Sequence, residues 1–134
     1  MLDIAKNIVS ILTSDTTLNA IVPVTSIFTG PTDIVKESQS SLGFPQINIS
    51  CVSETIATVP RGARYSRFQL DIWSRNSELE NQTIYERVLY LLNFVSGNKN
   101  STHIFWERLN GASSSFESDV RVWHISHDFV IWSI

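Results

Sequence analysis

The sequence has little charge and a single cysteine. Of its 134 residues only 17% are charged, below the roughly 25% that is typical of soluble domains. Cys51 as the sole cysteine excludes an intrachain disulfide and a cluster of thiolate metal ligands. The net charge is −3, whereas a free-standing duplex-binding domain normally carries a clustered basic excess. The composition predicts a soluble protein of a reducing compartment, with a sparsely charged surface that something other than bulk water can cover in part.

Several common signatures are also missing from the sequence. No apolar run approaches the roughly 20 residues that a membrane helix needs. Asp3 and Lys6 interrupt the apolar N-terminal stretch, so no signal peptide is predicted. The sequence has no Gly-rich phosphate loop, no GxSxG motif and no HExxH motif. We therefore expect one non-enzymatic domain spanning residues 1–134, without a cofactor or a metal ion.

What the sequence does contain is hydrophobic periodicity, at helical spacing in some segments and at strand spacing in others. The predicted elements, in chain order, are a helix at 2–12 with a short helical turn after it, strands at 27–29, 46–51 and 67–73, a helix at 77–96, and strands at 103–109 and 120–134 joined by a loop around 111–115. This order is typical of an α+β fold. We expect a mostly antiparallel β-sheet, with the N-terminal helix and the second long helix (about residues 77–96) packed on one face, and a long β-hairpin extension.

The second helix and the last strand carry the clearest local signals. Ser77 and Glu80 have the spacing of a capping box, which predicts the start of a helix, and Gly97 stands at the expected stop. Glu78 and Glu80 then lie in the first turn, where they complement the helix dipole. The strand from Val120 to the C-terminus carries large apolar groups on both faces, which predicts a central position in the sheet.

Histidine and cysteine are the candidates for reactive or metal-binding groups. His124 and His127 are three residues apart in a predicted strand, so they point to opposite faces and cannot bind one ion there. Together with His103 they are interpreted as ordinary surface or partly buried residues. Cys51 alternates with polar residues on the apolar face of its strand, where we expect it to pack as a small hydrophobe.

The one local concentration of basic residues surrounds the turn Pro60-Arg61-Gly62, where Arg64 and Arg67 follow Arg61. Two interpretations are open. The arginines can belong to a solvated turn, or the turn can be a finger that contacts a neighbouring protein or nucleic acid. Pro60, Arg61, Gly62 and Arg64 are the candidate interface residues. The polar segment 32–43 is a second candidate.

Five patches together resemble one known family, the tail terminator (tail completion) proteins of long-tailed bacteriophages. They span nearly the whole chain. The patches are the opening helix with Ile11-Leu12, Asp15, Leu18 and Ile21-Val22; Ile27-Phe28; Phe44-Pro45-Gln46-Ile47; residues 67–73 (RFQLDIW) before a Glu-rich helix start; and the closing strand 126–132 (SHDFVIW).

The resemblance implies a structural virion protein. Such a subunit would form a ring, expected to be hexameric, at the head-proximal end of the tail tube. The ring would end tube polymerisation and join the tube to the head–neck connector, while DNA passes through the lumen without being read. Assembly would take place in the host cytoplasm. A head-completion or neck adaptor protein on the portal side is the alternative. A small enzyme or a nucleic-acid-binding regulator is a more distant one.

Overall fold

A computed structural model describes residues 2–30, 44–56, 64–92, 96–99, 102–108, 112–119 and 121–133. The helices are α1 (Leu2–Thr13), α2 (Thr16–Asn19) and α3 (Glu78–Leu92), with a 3-10 helix at Val24–Ser26. The strands are β1 (Ile27–Thr29), β2 (Gln46–Ile56), β3 (Arg64–Ser74), β4 (Ser96–Lys99), β5 (Thr102–Arg108), β6 (Ser113–Glu117) and β7 (Val122–Ser133). No helix of these residues is long and apolar enough to cross a membrane.

All seven of these strands belong to one sheet. Its order is β1-β2-β3-β7-β5-β4, and β6 pairs with β7. β1 is parallel to β2, and every other pairing is antiparallel. The predicted α+β class and the mostly antiparallel sheet are therefore confirmed. β7 has partners along both of its sides, as its two apolar faces indicated.

The hydrophobic core lies on one face of the sheet, beneath α1 and α3, as predicted. Helix residues such as Leu12, Ile84 and Leu92 are buried against sheet residues such as Ile72 and Ile125. Phe68 and Phe129 lie side by side on β3 and β7, with ring centroids 5.8 Å apart. Burial of this apolar face is the main driving force that holds the helices on the sheet.

The start of α3 follows the sequence signal only in part. The backbone N–H of Glu80 donates to Ser77 Oγ at 3.0 Å, which is one half of the predicted capping box. The Glu80 carboxylate instead accepts hydrogen bonds from Ser74 Oγ at 2.6 Å and from Asn76. The helix ends at Leu92 rather than near residue 96, and Gly97 lies in β4, because that segment pairs with β5.

Two further predictions about strands are wrong. The predicted loop around 111–115 overlaps β6, a strand whose five side chains are all exposed. Its Ser-Ser-Ser-Phe-Glu sequence has no apolar alternation, and it is a strand because it pairs with β7. Cys51 is exposed rather than packed in the core. Cys51 pairs with Phe68 in the same register in which Ile49 pairs with Leu70, so it lies on the predicted face of β2 but is not covered there. A β-bulge follows it, between Cys51 and Ser53.

The long hairpin is confirmed up to the last described pair, Ile56 with Arg64. β3 also pairs with β7 from Arg64 to Ser74, so both of its edges are paired from Arg64 to Trp73. The turn Pro60-Arg61-Gly62 and the segment 32–43 lie outside the described residues.

An ion pair between Asp15 and Arg87 ties the start of α2 to α3. Arg87 Nε and Nη2 donate to the two carboxylate oxygens of Asp15 at 2.9 and 2.8 Å. One of these oxygens also caps α2 by accepting from the Leu18 N–H at 2.8 Å. The hydrogen bonds from Arg87 hold the pKa of Asp15 below its ordinary value, and Asp15 raises the pKa of Arg87.

Two substitutions separate the ion pair from the helix cap. Asp15→Asn retains a good N-cap but removes the charge, whereas Asp15→Ala removes both. We expect the melting temperature at pH 7 to fall in the order wild type, Asp15→Asn, Asp15→Ala. Because the folded-state pKa is lowered, the carboxylate stabilises the fold fully above its unfolded pKa, near 3.8, and less as the pH falls through the folded value. The difference between wild type and Asp15→Asn should shrink in that acid range. A difference that persists unchanged into strong acid would contradict this account.

Candidate functional site: the helix-free sheet face and the sheet edges

The predicted basic cluster is only partly described. Pro60, Arg61 and Gly62 lie outside the described residues, and Arg64 is placed by its backbone at the first position of β3. Arg67 is described in full. Its Nη2 donates to Asp128 Oδ2 at 2.8 Å, and the two side chains are 44% and 32% exposed. A pair this exposed contributes little to stability, but it balances the charge of Arg67 on the sheet surface.

A connected polar network lies on the sheet face opposite the helices. Trp73 Nε1 donates to Asn48 Oδ1 at 2.7 Å, and Asn48 Nδ2 donates to the Gly30 carbonyl at 2.9 Å. The indole of Trp73 stacks on the His124 ring, with centroids 3.7 Å apart and planes 5° apart. His124 Nε2 lies 2.7 Å from Asp71 Oδ1.

Several polar side chains of this face are buried. Gln46, Asn48 and Asp71 are 2%, 3% and 6% exposed. Trp73 is 8% exposed, so this tryptophan is a packing residue of the subunit rather than an exposed anchor for a partner.

The histidine–carboxylate arrangement around His124 is unsuited to acid–base catalysis. His124 Nδ1 lies 3.6 Å from Glu117 Oε1, while Nε2 faces Asp71. Both ring nitrogens are thus directed at carboxylates, and neither is directed at a hydroxyl or thiol that it could activate. Through these two contacts His124 on β7 links Asp71 on β3 to Glu117 on β6, which is a structural role.

The other candidate reactive residues, His127 and Cys51, also lie in surroundings that indicate a structural role. His127 is 3% exposed, deeper than the surface or partly buried position that we expected, and its Nδ1 lies 2.9 Å from the Tyr85 hydroxyl. His124 and His127 do point to opposite faces, as predicted. Desolvation raises the pKa of the Cys51 thiol, which disfavours the reactive thiolate. Among the described residues no group of three or more His, Cys, Asp or Glu side chains is placed to hold a metal ion.

Large apolar side chains are exposed at a few positions on the described surface. Leu79 and Tyr90 are 76% and 72% exposed on the outer side of α3. Val24 and Phe116 are 51% and 46% exposed, and they lie near opposite edges of the sheet. Scattered apolar residues are normal on a surface. Val24 and Phe116 are informative because the sheet edges beside them also carry backbone N–H and C=O groups that can pair with another strand.

The outer edge of β1 borders a groove. It has a volume of about 460 Å³ and is lined by one side of α1 and by the strand itself, through Lys6, Val9, Ser10, Thr13, Phe28 and Thr29. Gly30 closes β1 with φ = 97°, a conformation that favours glycine, and its N–H donates to the Ile49 carbonyl at 2.9 Å. Because neighbouring residues of a strand direct their backbone groups to opposite sides, the N–H and C=O of Thr29 point away from β2.

The fold has a counterpart among solved structures, although no protein-family model and no curated protein matches the sequence. A chain in a solved structure described as "Virion of native gene transfer agent (GTA) particle" matches with a TM-score of 0.71. The match covers 94% of this chain and 90% of that chain, at 12% sequence identity. At this identity the likeness shows that the two chains share a fold from end to end.

Proposed function

We propose that the protein is a structural component of a phage-like virion and that it acts there as a tail terminator. The observation that carries the proposal is the fold shared over 94% of the chain with a protein of a gene transfer agent virion. The five sequence patches that resemble tail terminators agree with it independently. In this role the protein forms a ring, expected to be hexameric, on the last ring of tail tube protein, stops further polymerisation and joins the tube to the head–neck connector.

The surface chemistry fits a ring through which DNA passes without being held. Phosphate contacts by Lys and Arg supply much of the affinity of DNA-binding proteins. The net charge of this chain is −3, and Arg67 on the helix-free face is paired with Asp128. The same face carries the carboxylate of Glu117, whose side chain is 46% exposed. A surface with this charge does not bind a phosphate backbone tightly.

The proposal places the protein at the head-proximal end of the tail, after assembly in the host cytoplasm. Its partners are other copies of itself, the tail tube protein and the head–neck connector protein. It acts without catalysis, which agrees with the structural settings of His124, His127 and Cys51.

Disruption of the gene in particle-producing cells tests the proposal. Electron microscopy of the lysate should show tails of uncontrolled length that are not joined to heads, and expression from a plasmid should restore particles. Normal-length tails joined to heads would contradict the proposal. Heads that lose their DNA beside separate tails of normal length would instead support the alternative, an adaptor protein on the portal side.

The hairpin tip supplies a prediction about the ring contact. The double substitution Arg61→Ala and Arg64→Ala should weaken ring formation or tube capping, because both side chains are proposed to contact a neighbouring subunit or the tube. The melting temperature should change little, since turn arginines contribute little to the core. Light scattering coupled to size exclusion and negative-stain images of tube ends measure the two effects.

A matched control removes the same charge at the opposite end of the sheet. The control variant combines Arg75→Ala with Arg121→Gly. Arg75 follows the far end of β3, and Arg121 precedes β7 with φ = 56°, a conformation that glycine adopts readily. Rings and capped tubes should survive this control. If the Arg61 and Arg64 variant also forms intact rings and caps tubes normally, the hairpin tip is not the contact.

A further inference from the structure

Two rows of paired residues each cross five strands of the sheet, but the two rows cross different sets of strands. Towards one end, the paired residues form the row Ile27, Ile47, Ile72, Ile125 and Ser114, which crosses β1, β2, β3, β7 and β6. Towards the other end, they form the row Ile56, Arg64, Ser133, Ile104 and Gly97, which crosses β2, β3, β7, β5 and β4. We name these the lower row and the upper row.

The two edges of the sheet are therefore stepped in complementary ways. On one side β1 adds a strand to the lower row, while β2 is the edge of the upper row. On the other side β6 is the edge of the lower row, while β5 and β4 add two strands to the upper row. A second copy placed beside the first matches both steps at once. The path from β7 of one copy to β2 of the next crosses β6 and β1 in the lower row, and β5 and β4 in the upper row. Both paths are three strand spacings long, so the two copies fit without a gap.

Building on the proposed ring, we propose that neighbouring subunits join head to tail by continuing this sheet. β6 of one subunit lies beside β1 of the next in the lower row, and β4 lies beside β2 of the next in the upper row. From the pairing directions, the β6–β1 contact is antiparallel and the β4–β2 contact is parallel. A heterologous contact of this kind closes into a ring when the rotation between copies allows it.

The described edges carry the groups that such a contact uses. Among the described residues no strand pairs with the outer edge of β1 or of β6, and the N–H and C=O of Thr29 point outward. Placing Ser114 beside the neighbour's Ile27, the first residue of β1, carries Phe116 past the end of that strand, to the 3-10 helix at Val24–Ser26. Phe116 and Val24 are 46% and 51% exposed in one subunit, and this contact would bury both.

The alternative is a two-fold contact, in which two copies pair through the same strand. Each such contact leaves one edge of the subunit without a partner. A two-fold contact of β6 with a second β6 leaves the outer edge of β1 without a partner in the dimer, and a two-fold contact of β1 with β1 does the same for β6. Only the head-to-tail contact matches both edges of each subunit and continues from copy to copy.

A cross-linking experiment with two tagged forms tests the contact in the assembled particle. Both forms carry Cys51→Ser. One form adds Thr25→Cys and the other adds Ser114→Cys; both of these side chains are exposed, and the substitutions keep Val24 and Phe116. In the proposed pairing Ser114 lies beside the neighbour's Ile27, and Thr25 lies two residues before Ile27 in the 3-10 helix, so the two thiols are close enough for a short linker. Particles from cells that make both forms are treated with a short bismaleimide.

The proposal predicts covalent dimers that carry both tags, and no dimers when either form is made alone. The control uses Ser53→Cys in place of Thr25→Cys. Ser53 is exposed on β2, and it lies about 20 Å along the strand direction from the pair of Ile27 with Ile47. Mixed dimers should exceed this control about tenfold, because fixed neighbours have a high effective concentration.

Each other outcome overturns the proposal in an identifiable way. If the protein is in the particles but mixed dimers do not exceed the control, the sheet-continuation contact is wrong while the terminator function stands. Dimers of a single form would indicate a two-fold contact instead. If the protein is absent from the particles, the terminator function fails, and the ring contact fails with it.

Discussion

Replacing Phe129 with alanine is expected to lower the free energy of unfolding by about 3–5 kcal/mol. Phe129 is 1% exposed at the middle of β7, and its ring lies 5.8 Å from that of Phe68, which is 0% exposed. Alanine removes the ring and leaves a cavity between the sheet and α3, which the surrounding backbone cannot fill by collapsing. Urea unfolding should show a lower midpoint with an unchanged slope.

Leu79→Ala is the matched control for this substitution. It also truncates a large apolar side chain, but Leu79 is 76% exposed on α3. Its free energy of unfolding should stay within about 0.5 kcal/mol of wild type. Equal effects of the two substitutions would mean that the core is not where the structure places it.

Replacing Trp73 with phenylalanine is the second large effect that we expect, a loss of about 1–3 kcal/mol. Phenylalanine retains an aromatic ring but has no N–H, so Asn48 Oδ1, buried in a residue that is 3% exposed, loses the donor that lies 2.7 Å away. A buried acceptor without a partner loses its water without compensation. The smaller ring also overlaps less with His124.

A double-mutant cycle separates the hydrogen bond from packing. Trp73→Phe, Asn48→Ala and the double variant should be compared by urea unfolding at the same pH. Because both single variants break the same hydrogen bond, the double variant should be more stable than the sum of the two losses predicts, by about 0.5–3 kcal/mol. Additive losses would show that the Trp73–Asn48 contact contributes nothing beyond packing.

The elements with strong periodicity could be predicted from the sequence, because their patterns reflect burial on one face. The helical stripe of α3, with Ile84 and Val88, and the two apolar faces of β7 are local features of the chain. β6 could not be predicted in this way. Its three serines have no β preference, and the strand depends on pairing with β7, which is a tertiary interaction.

The end of α3 and the exposure of Cys51 were missed for related reasons. The apolar stripe continued past Leu92, and nothing local signalled that residues 96–99 pair with β5 as strand β4. Alternation gave the face of Cys51, which keeps the register of Ile47 and Ile49 through its pairing with Phe68. How far that face is covered along β2 depends on tertiary packing, which the alternation does not contain.

The candidate contact surfaces depend even more on long-range structure. Arginine density drew attention to the turn at residues 60–64, which is a local signal. The network on the helix-free face joins Trp73 to Asn48 and His124 to Asp71, pairs separated by 25 and 53 positions. The stepped edges follow from the register of several pairings at once. Neither feature has a signature in any one segment of the chain.

The central claim is that the protein ends growth of the tail tube, and adding it to a tube protein that is polymerising tests this most directly. Purified protein, labelled for electron microscopy, is added at increasing ratios to tail tube protein from the same particle. We expect tube growth to stop, tubes to become shorter as the ratio rises, and one ring of label to lie at a single end of each tube. Tubes of unchanged length, with label absent or spread along them, would contradict the claim.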